Sequence, residues 1–291
     1  VIHPKAIIEK DVVLGDGVSI GPYVYIESGV HLGKGVKVSA FAHLRSNTYI
    51  GDDTFIGSGS VIGEVPQILD AEAEKGKVYI GKGNIIREYV TINCSSSPDK
   101  ATSLGDGNFL MACSHIAHDC KISNNVVICN GTLIAGHIEI GDKAFISGNV
   151  VIHQFVKIGR LAMIGGLSRV NQDIPPFMMV VGDSRIWGLN LVGLKRADFN
   201  KEEIKQIRKA YKILYRKELP LKSALEELGK LDSSVVKEII VFILSSQRGI
   251  CGPKRSSLWE KLFLDYPYLT RSRIPTYESL PKFELNKFGK E

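Results

Sequence analysis

The chain lacks the features that would place it in several large classes. No run of apolar residues approaches the ~18 needed to cross a bilayer as a helix, so stable membrane insertion is not expected. The start, VIHPKAIIEKD, has neither the basic nor the apolar region of a signal peptide. The five cysteines (Cys94, Cys113, Cys120, Cys129, Cys251) are odd in number and show no secreted-framework spacing. Reduced thiols in a cytoplasmic protein are therefore expected. Net charge is only +6, which does not point to nucleic acid but suits a phosphorylated substrate or an acidic partner.

What is plentiful is glycine, 29 of 291 residues, as in a fold that turns every few residues. Every sixth position from Ile2 to Val170 gives 29 sites, and only Glu74 and Pro98 are not aliphatic. Chance placement at 44% hydrophobic would fill about 13. A period of six fits neither a helix nor a plain strand, so it implies a repeat architecture. Three hexads make a triangular coil of 18 residues, and coils stack about 4.8 Å apart. The residue after the aliphatic is often glycine (Gly15, Gly21, Gly33, Gly51, Gly57), read here as a corner residue. The fifth position is small or β-branched (Ala6, Val12, Val18, Val24), as an inward filler should be.

These patterns predict a mainly β protein: a solenoid over residues 1–186 with loops at about 63–79 and 93–103. After Val170 the beat dissolves into a bridge with a double proline. Residues 187–250 read as a small α-helical domain with three amphipathic helices, the first capped by Asn200. The extension 251–291 is aromatic and basic and yields no structural expectation.

Residues 110–154 concentrate the chemistry, with His115, His118, His137 and His153 among the seven histidines. Adding 18 to His118 gives Gly136, beside His137, and adding 18 again gives Gln154, beside His153. Three imidazoles, a glycine and an amide thus share a strip about 10 Å long on one wall. His118 occupies an outward hexad position and is followed by Asp119, which suits a general base near neutral pH; the alternative is a solvated surface histidine. Gly136 lies off the usual glycine position, and a glycine lets a substrate carbonyl approach its N–H. The Cys113–Cys120 segment, CSHIAHDC, resembles a metal-binding spacing, but Cys120 points inward and His118 outward, so they do not converge. Lys195, Arg196, Arg208, Lys209, Lys212, Arg216 and Lys217 make either a solvated helix face or a docking patch for an acidic protein or phosphate.

The motifs IGEVPQ (62–67), REYVTI (87–92), HIAHDC (115–120), LIAGH (133–137), VIHQF (151–155), QDIPPF (172–177), GLNLVGLKRADF (188–199) and QRGI (247–250) cover residues 1–250 in order. Through them the chain resembles the bacterial UDP-N-acetylglucosamine O-acyltransferases. The resemblance implies a left-handed parallel β-helix in a homotrimer. It also implies transfer of an R-3-hydroxyacyl group from acyl carrier protein to a UDP-sugar in lipid A biosynthesis, without metal or cofactor. By the same resemblance His118 is the general base, Asp119 orients it, and the Gly136 N–H holds the oxyanion. His115, His137, His153 and Gln154 would line the sugar and acyl site, while Asn190 and Arg196 would hold the nucleotide. Gly166 stands at the family's acyl-length ruler, where glycine favours a long chain. After IGEVPQ the family usually continues Asp-Leu-Lys; here stand Ile68, Leu69 and Asp70, so the acceptor is a 3-hydroxyl or a 3-amino sugar. Two rival readings share the repeat: a zinc hydratase of the γ-carbonic-anhydrase kind, and another hexapeptide-repeat acyltransferase. A structural solenoid would instead scatter its histidines.

Overall fold

The computed structural model describes residues 1–69 and 76–253; Asp70 and residues 254–291 of the extension lie outside them. Val1–Pro253 form one compact unit. Three parallel sheets make the three sides of a prism. The first runs from Ile7–Ile8 to Arg169–Val170 and the second from Val13–Leu14 to Lys157–Ile158. The third runs from Ser19–Ile20 to Met163–Ile164 and then onward. Where the beat is unbroken, partner strands lie one coil of 18 residues apart: Ile7 pairs with Tyr25, His115 with Leu133, and Leu133 with Val151.

Two excursions lengthen the coil. Val61 pairs with Thr91, thirty residues on, and Thr91 with His115, twenty-four on. The surpluses of twelve and six are whole hexads, which is why the beat keeps its phase across both. Ile68 is in phase but 42% exposed, a member of the first excursion and not of the core. Strands reach into both segments expected to be loops, as Val61–Glu64, Lys77–Ile80, Thr91–Asn93 and Ala101–Leu104. Inside, Ile26, Leu44, Ile62, Ile92, Ile116 and Ile134 stack in a fully buried column. Each contributes about 1.5–3 kcal/mol by burial.

The glycines that follow the aliphatics owe their place to something other than the corner. Their φ angles are not positive; a methyl group at Gly57 would instead stand 2.4 Å from the carbonyl carbon of Arg87, and one at Gly15 2.6 Å from the nitrogen of Lys34. They are needed because successive coils approach closely there. The turn itself is made two residues later, in the left-handed region, by residues such as Tyr23, Phe41, Asp119, His137 and Phe155.

Beyond Val170, where the beat dissolves, the coil continues but shortens. Ile158 bridges to Ile174 and Ile164 pairs with Val180, sixteen residues on in each case. The strand Met178–Val181 then pairs antiparallel with Arg185–Leu189, which leads into a helix the sequence did not announce, α1 (Leu191–Arg196). Next come α2 (Lys201–Arg216), α3 (Leu221–Gly229) and α4 (Ser234–Leu244). Asn200 caps α2 in a reciprocal box with Glu203, worth about 1 kcal/mol. Arg160, at the end of the prism, ties the helices on. Its guanidinium donates to both carboxylate oxygens of Glu238 on α4 at 3.0 and 2.7 Å. It also lies 5.1 and 5.2 Å from the rings of Phe177 and Phe199. Cys251, buried, donates its backbone N–H to Asp173, and Gly252–Pro253 joins the third sheet beside Arg185–Ile186. Among the described residues no helix is long and apolar enough to cross a membrane.

Candidate active site

The edge of the prism that follows the first sheet gathers most of the residues singled out above. His115, Leu133 and Val151 are aligned on neighbouring strands, so the turn residues after them stack as well. The backbone N–H of His137 donates to the carbonyl of His118 at 3.0 Å, and that of Phe155 to Gly136 at 3.0 Å. One column along this edge is His118, Gly136, Gln154; beside it runs Asp119, His137, Phe155, with φ of 60°, 61° and 65°. Holding three non-glycine residues in the left-handed region costs about 1 kcal/mol or more each. The same conformation makes the turns of the other coils, at Tyr23, Phe41 and Asn125 among others.

His118 Nδ1–H donates to Asp119 Oδ2 at 2.8 Å, which leaves Nε2 as the basic nitrogen. One edge of its ring crowds Gly136: a methyl group at 136 would stand 2.6 Å from Cε1 and 2.7 Å from Nε2. Gly136 is therefore required for the ring's position as well as for access to its backbone. The glycine is buried, and its N–H has no acceptor within the chain among the described residues. An N–H without an acceptor in the chain can serve the oxygen of a ligand.

Asp119 is nearly enclosed, its side chain 7% exposed. Burial works against its charge, but hydrogen bonds from Ser95, Ser96 and His118 outweigh this and hold the carboxyl well below the usual carboxylate range. Both serines come from the second excursion and were not foreseen as site residues. The 93–103 segment marked the place as a loop but gave no sign of which residue it would touch. His137 meets His118 edge to face at 5.0 Å, brings Nε2 to 3.8 Å from Asp119, and stacks on Phe155 at 4.6 Å. Burial lowers its pKa, Asp119 opposes, and His118 and Lys100 add to the lowering. His115 is bonded through Nδ1 to the Thr91 hydroxyl at 2.8 Å; burial, then the neighbouring His118, keeps it below its ordinary value. His153 and Gln154 stand exposed one coil beyond Gly136, with His153 Nδ1 3.3 Å from the Gln154 carbonyl.

Three predicted residues lie elsewhere in the chain. Gly166 is exposed on the edge after the third sheet, where a methyl group would meet only Gly148 O at 3.5 Å and Ser147 Cβ at 3.9 Å. Asn190 is buried, and both ends of its amide are engaged: Oδ1 accepts from Gly193 N and Nδ2 donates to Leu161 O, each at 2.9 Å. Its visible duty is to fix α1 to the prism, so any action on a nucleotide goes through the placement of α1. Arg196 is exposed in the last turn of that helix.

The group His118, Asp119 and His137 brings three potential ligand atoms within 4.8 Å of one another. Both carboxylate oxygens are, however, already engaged by Ser95, Ser96 and His118, which makes this first of all a hydrogen-bonded cluster. The Cys120 thiol is buried, bonded to the Ala135 carbonyl at 3.1 Å and pushed up to about 12 by burial, while Cys113 is exposed on the edge that carries Gly166. The two cysteines do not converge with His118.

Family models of bacterial hexapeptide transferase repeats match residues 29–64 and 101–136, and a succinyl-transferase hexapeptide model matches 5–40. A model described as UDP N-acetylglucosamine O-acyltransferase, domain 2, matches 173–251. A curated acyl-[acyl-carrier-protein]–UDP-N-acetylglucosamine O-acyltransferase from Gloeothece citriformis is 50% identical over 172 residues, 59% of this chain and 62% of that protein. In that alignment the chain spans less than two thirds of its relative. The protein of the same name from Aliarcobacter butzleri is 47% identical over 86% of this chain and 97% of its own length. Among solved structures, LpxA from Bacteroides fragilis, a UDP-N-acetylglucosamine acyltransferase, has a TM-score of 0.83 at 38% identity, covering 86% of this chain and 99% of that one. The UDP-N-acetylglucosamine acyltransferase from Campylobacter jejuni gives 0.82 at 40%, covering 87% and 100%. The prism is accordingly a left-handed parallel β-helix. The chain belongs to the family of acyl-[acyl-carrier-protein]–UDP-N-acetylglucosamine O-acyltransferases.

Proposed function

We propose that this chain transfers an R-3-hydroxyacyl group from acyl carrier protein to the 3-position of UDP-N-acetylglucosamine or its 3-amino analogue, opening lipid A synthesis. The observation that carries the reading is the His118–Asp119 pair set against a glycine whose N–H has no acceptor in the chain among the described residues. His118 Nε2 takes the proton of the sugar's hydroxyl or amine as that atom bonds to the thioester carbonyl carbon. The Gly136 N–H donates to the oxygen that becomes negative. When the carbonyl reforms, the carbon–sulfur bond breaks and the thiolate of the carrier's prosthetic arm recovers the proton from Nε2. The thioester is already activated, so the step needs no metal or cofactor. His115, His137, His153 and Gln154 line the acceptor and acyl groups.

A homotrimer completes the site. Gly166 and Arg196 do not share the His118 edge, so a neighbouring prism must bring its own copies of them to the cleft. The third sheet carries an outward stripe of Phe55, Ile85, Phe109, Val127, Phe145 and Met163, and its edge exposes Tyr23, Phe41, Tyr89 and Leu167. Apolar cover of this extent suits packing against a second copy. The acidic carrier protein has a matching surface on α2, where Lys205, Arg208, Lys209, Lys212 and Arg216 line an open hollow of ≈ 580 Å³ with Tyr211. Supply of both substrates in the cytoplasm suits a chain of this kind.

The test is a panel: purified protein, acyl-carrier-protein thioesters of graded length, and UDP-sugars bearing a 3-hydroxyl or a 3-amino group. Transfer of a long 3-hydroxyacyl chain to one of the two sugars is expected. No transfer to either would remove the reading.

A further inference from the structure

The carboxylate of Asp119 has more partners than orienting one imidazole requires. Oδ1 accepts from the Ser95 hydroxyl; Oδ2 accepts from the Ser96 hydroxyl at 2.6 Å, the Ser96 N–H at 3.2 Å and His118 Nδ1–H at 2.8 Å. The Asp119 N–H in turn donates to Thr102 Oγ1 at 2.8 Å. Ser95 is fully buried and is itself pinned: its Oγ accepts from Ser97 N at 3.1 Å, its N–H donates to Lys77 O at 3.3 Å, and its carbonyl accepts from Gly76 N at 3.3 Å. A methyl group at Gly76 would stand 2.6 Å from Ser95 Cβ, so the return of the first excursion is packed directly on the second. Both departures from the coil thus meet at one serine, and that serine holds the carboxylate.

We infer that Ser95 and Ser96 are positioning residues for the reaction, setting the orientation of Asp119 against His118. The inference rests on the acyltransferase reading for its consequence in turnover, but not for its geometry. With four donors on two oxygens, the carboxylate is fixed in plane with Nδ1–H, and Nε2 stays directed over Gly136. The other groups facing the pair are His137, 3.8 Å from Oδ2, His115 beside His118, Lys100 from the second excursion, and the buried Cys120 thiol. None of them donates a hydrogen bond to the carboxylate among the described residues.

The experiment compares the intact protein with its Ser95→Ala/Ser96→Ala form. The double variant is expected to lose about tenfold in kcat, part of what a general base supplies. The KM for both substrates should stay within about twofold. Histidine-selective ¹⁵N spectra of the free protein, assigned with His118→Asn, should show more of the Nε2–H tautomer. Ser96→Thr keeps the hydroxyl and should restore the rate and the tautomer ratio to nearly those of the parent. A folded double variant whose tautomer ratio matches the parent overturns the inference, even if its rate is lower. Should the double variant fail to fold, Ser96→Ala, which alters an exposed side chain, is judged by the same readouts. The nitrogen spectra need no turnover, so a chain that transferred no acyl group would fail the functional reading while this relay was still decided.

Discussion

The imidazole of His118 rests on the α-carbon of Gly136, one coil above it, with no room for even a methyl group between them. This contact ties the proposed base and the proposed oxyanion donor into one unit: neither moves without the other. Gly136→Ala must displace the ring by several tenths of an ångström or more. Its kcat is expected to fall about 100-fold, comparable to loss of an oxyanion donor, with little change in melting temperature. A near-parental rate would show that the ring position does not matter.

Removing the ring is the sharper test of proton transfer. His118→Ala should fold and assemble as the parent does, since its side chain fills no core space, and lose about 10²–10⁴ in kcat. The measurement is single-turnover transfer at saturating acceptor. Residual activity close to that of the parent would take His118 out of the mechanism.

Stability should fall as the pH is lowered from 7 toward 5, and the histidines are the cause. His115 and His137 have folded-state pKa values below the ordinary 6.5, so the unfolded chain binds more protons in this window and is favoured by acid. Asp119 behaves differently. Its carboxyl is depressed below the ordinary 3.8, so its contribution is present above that pH and is lost only as pH falls further. Urea midpoints at pH 7, 6 and 5 check the first part. His115→Asn should flatten the decline, and an unchanged slope would count against the assignment.

Arg160 is the other point at which a single change should be felt. Arg160→Ala removes the pair with Glu238 and the two ring contacts with Phe177 and Phe199. With the guanidinium about one-third exposed, the loss is about 1–3 kcal/mol. Denaturation followed by far-ultraviolet dichroism at helical wavelengths should show the helices loosening before the β signal is lost. Coincident loss of the two signals at the parental midpoint would argue against this role.

Much of this was legible in the residues because a six-residue beat calls for stacked coils of eighteen, although their handedness came from the resemblance. Once Ile116, Ile134 and Ile152 are stacked, His118 and Gly136 must neighbour each other. Helices α2 to α4 were legible for the ordinary reasons of caps and apolar stripes, with Asn200 and Glu203 as the clearest signal. Helix α1 was not, because six residues containing Gly193 are too few to establish a period. The strand Met178–Val181 was hidden because Pro175 and Pro176 accompany a coil of sixteen, which breaks the count. Ser95 and Ser96 were out of reach for a different reason: an excursion has no period, so its partners follow from closure against the prism. The glycine rule was misread, since sequence shows where glycine recurs but not whether it is the turn or the neighbouring coil that excludes a side chain. Gly166, Asn190 and Arg196 came from resemblance alone, and no spacing argument connects them to His118.

The uniform register of the coils has a further consequence. Because each rung advances the wall by about 4.8 Å, eighteen positions of sequence translate into one fixed increment of length. A linear substrate lying along such a wall can be measured by it, as against a graduated rod, and one bulky side chain placed on a chosen rung would set the stop. Discrimination between homologous chains could then change in discrete steps by single substitutions, leaving the reactive rung untouched.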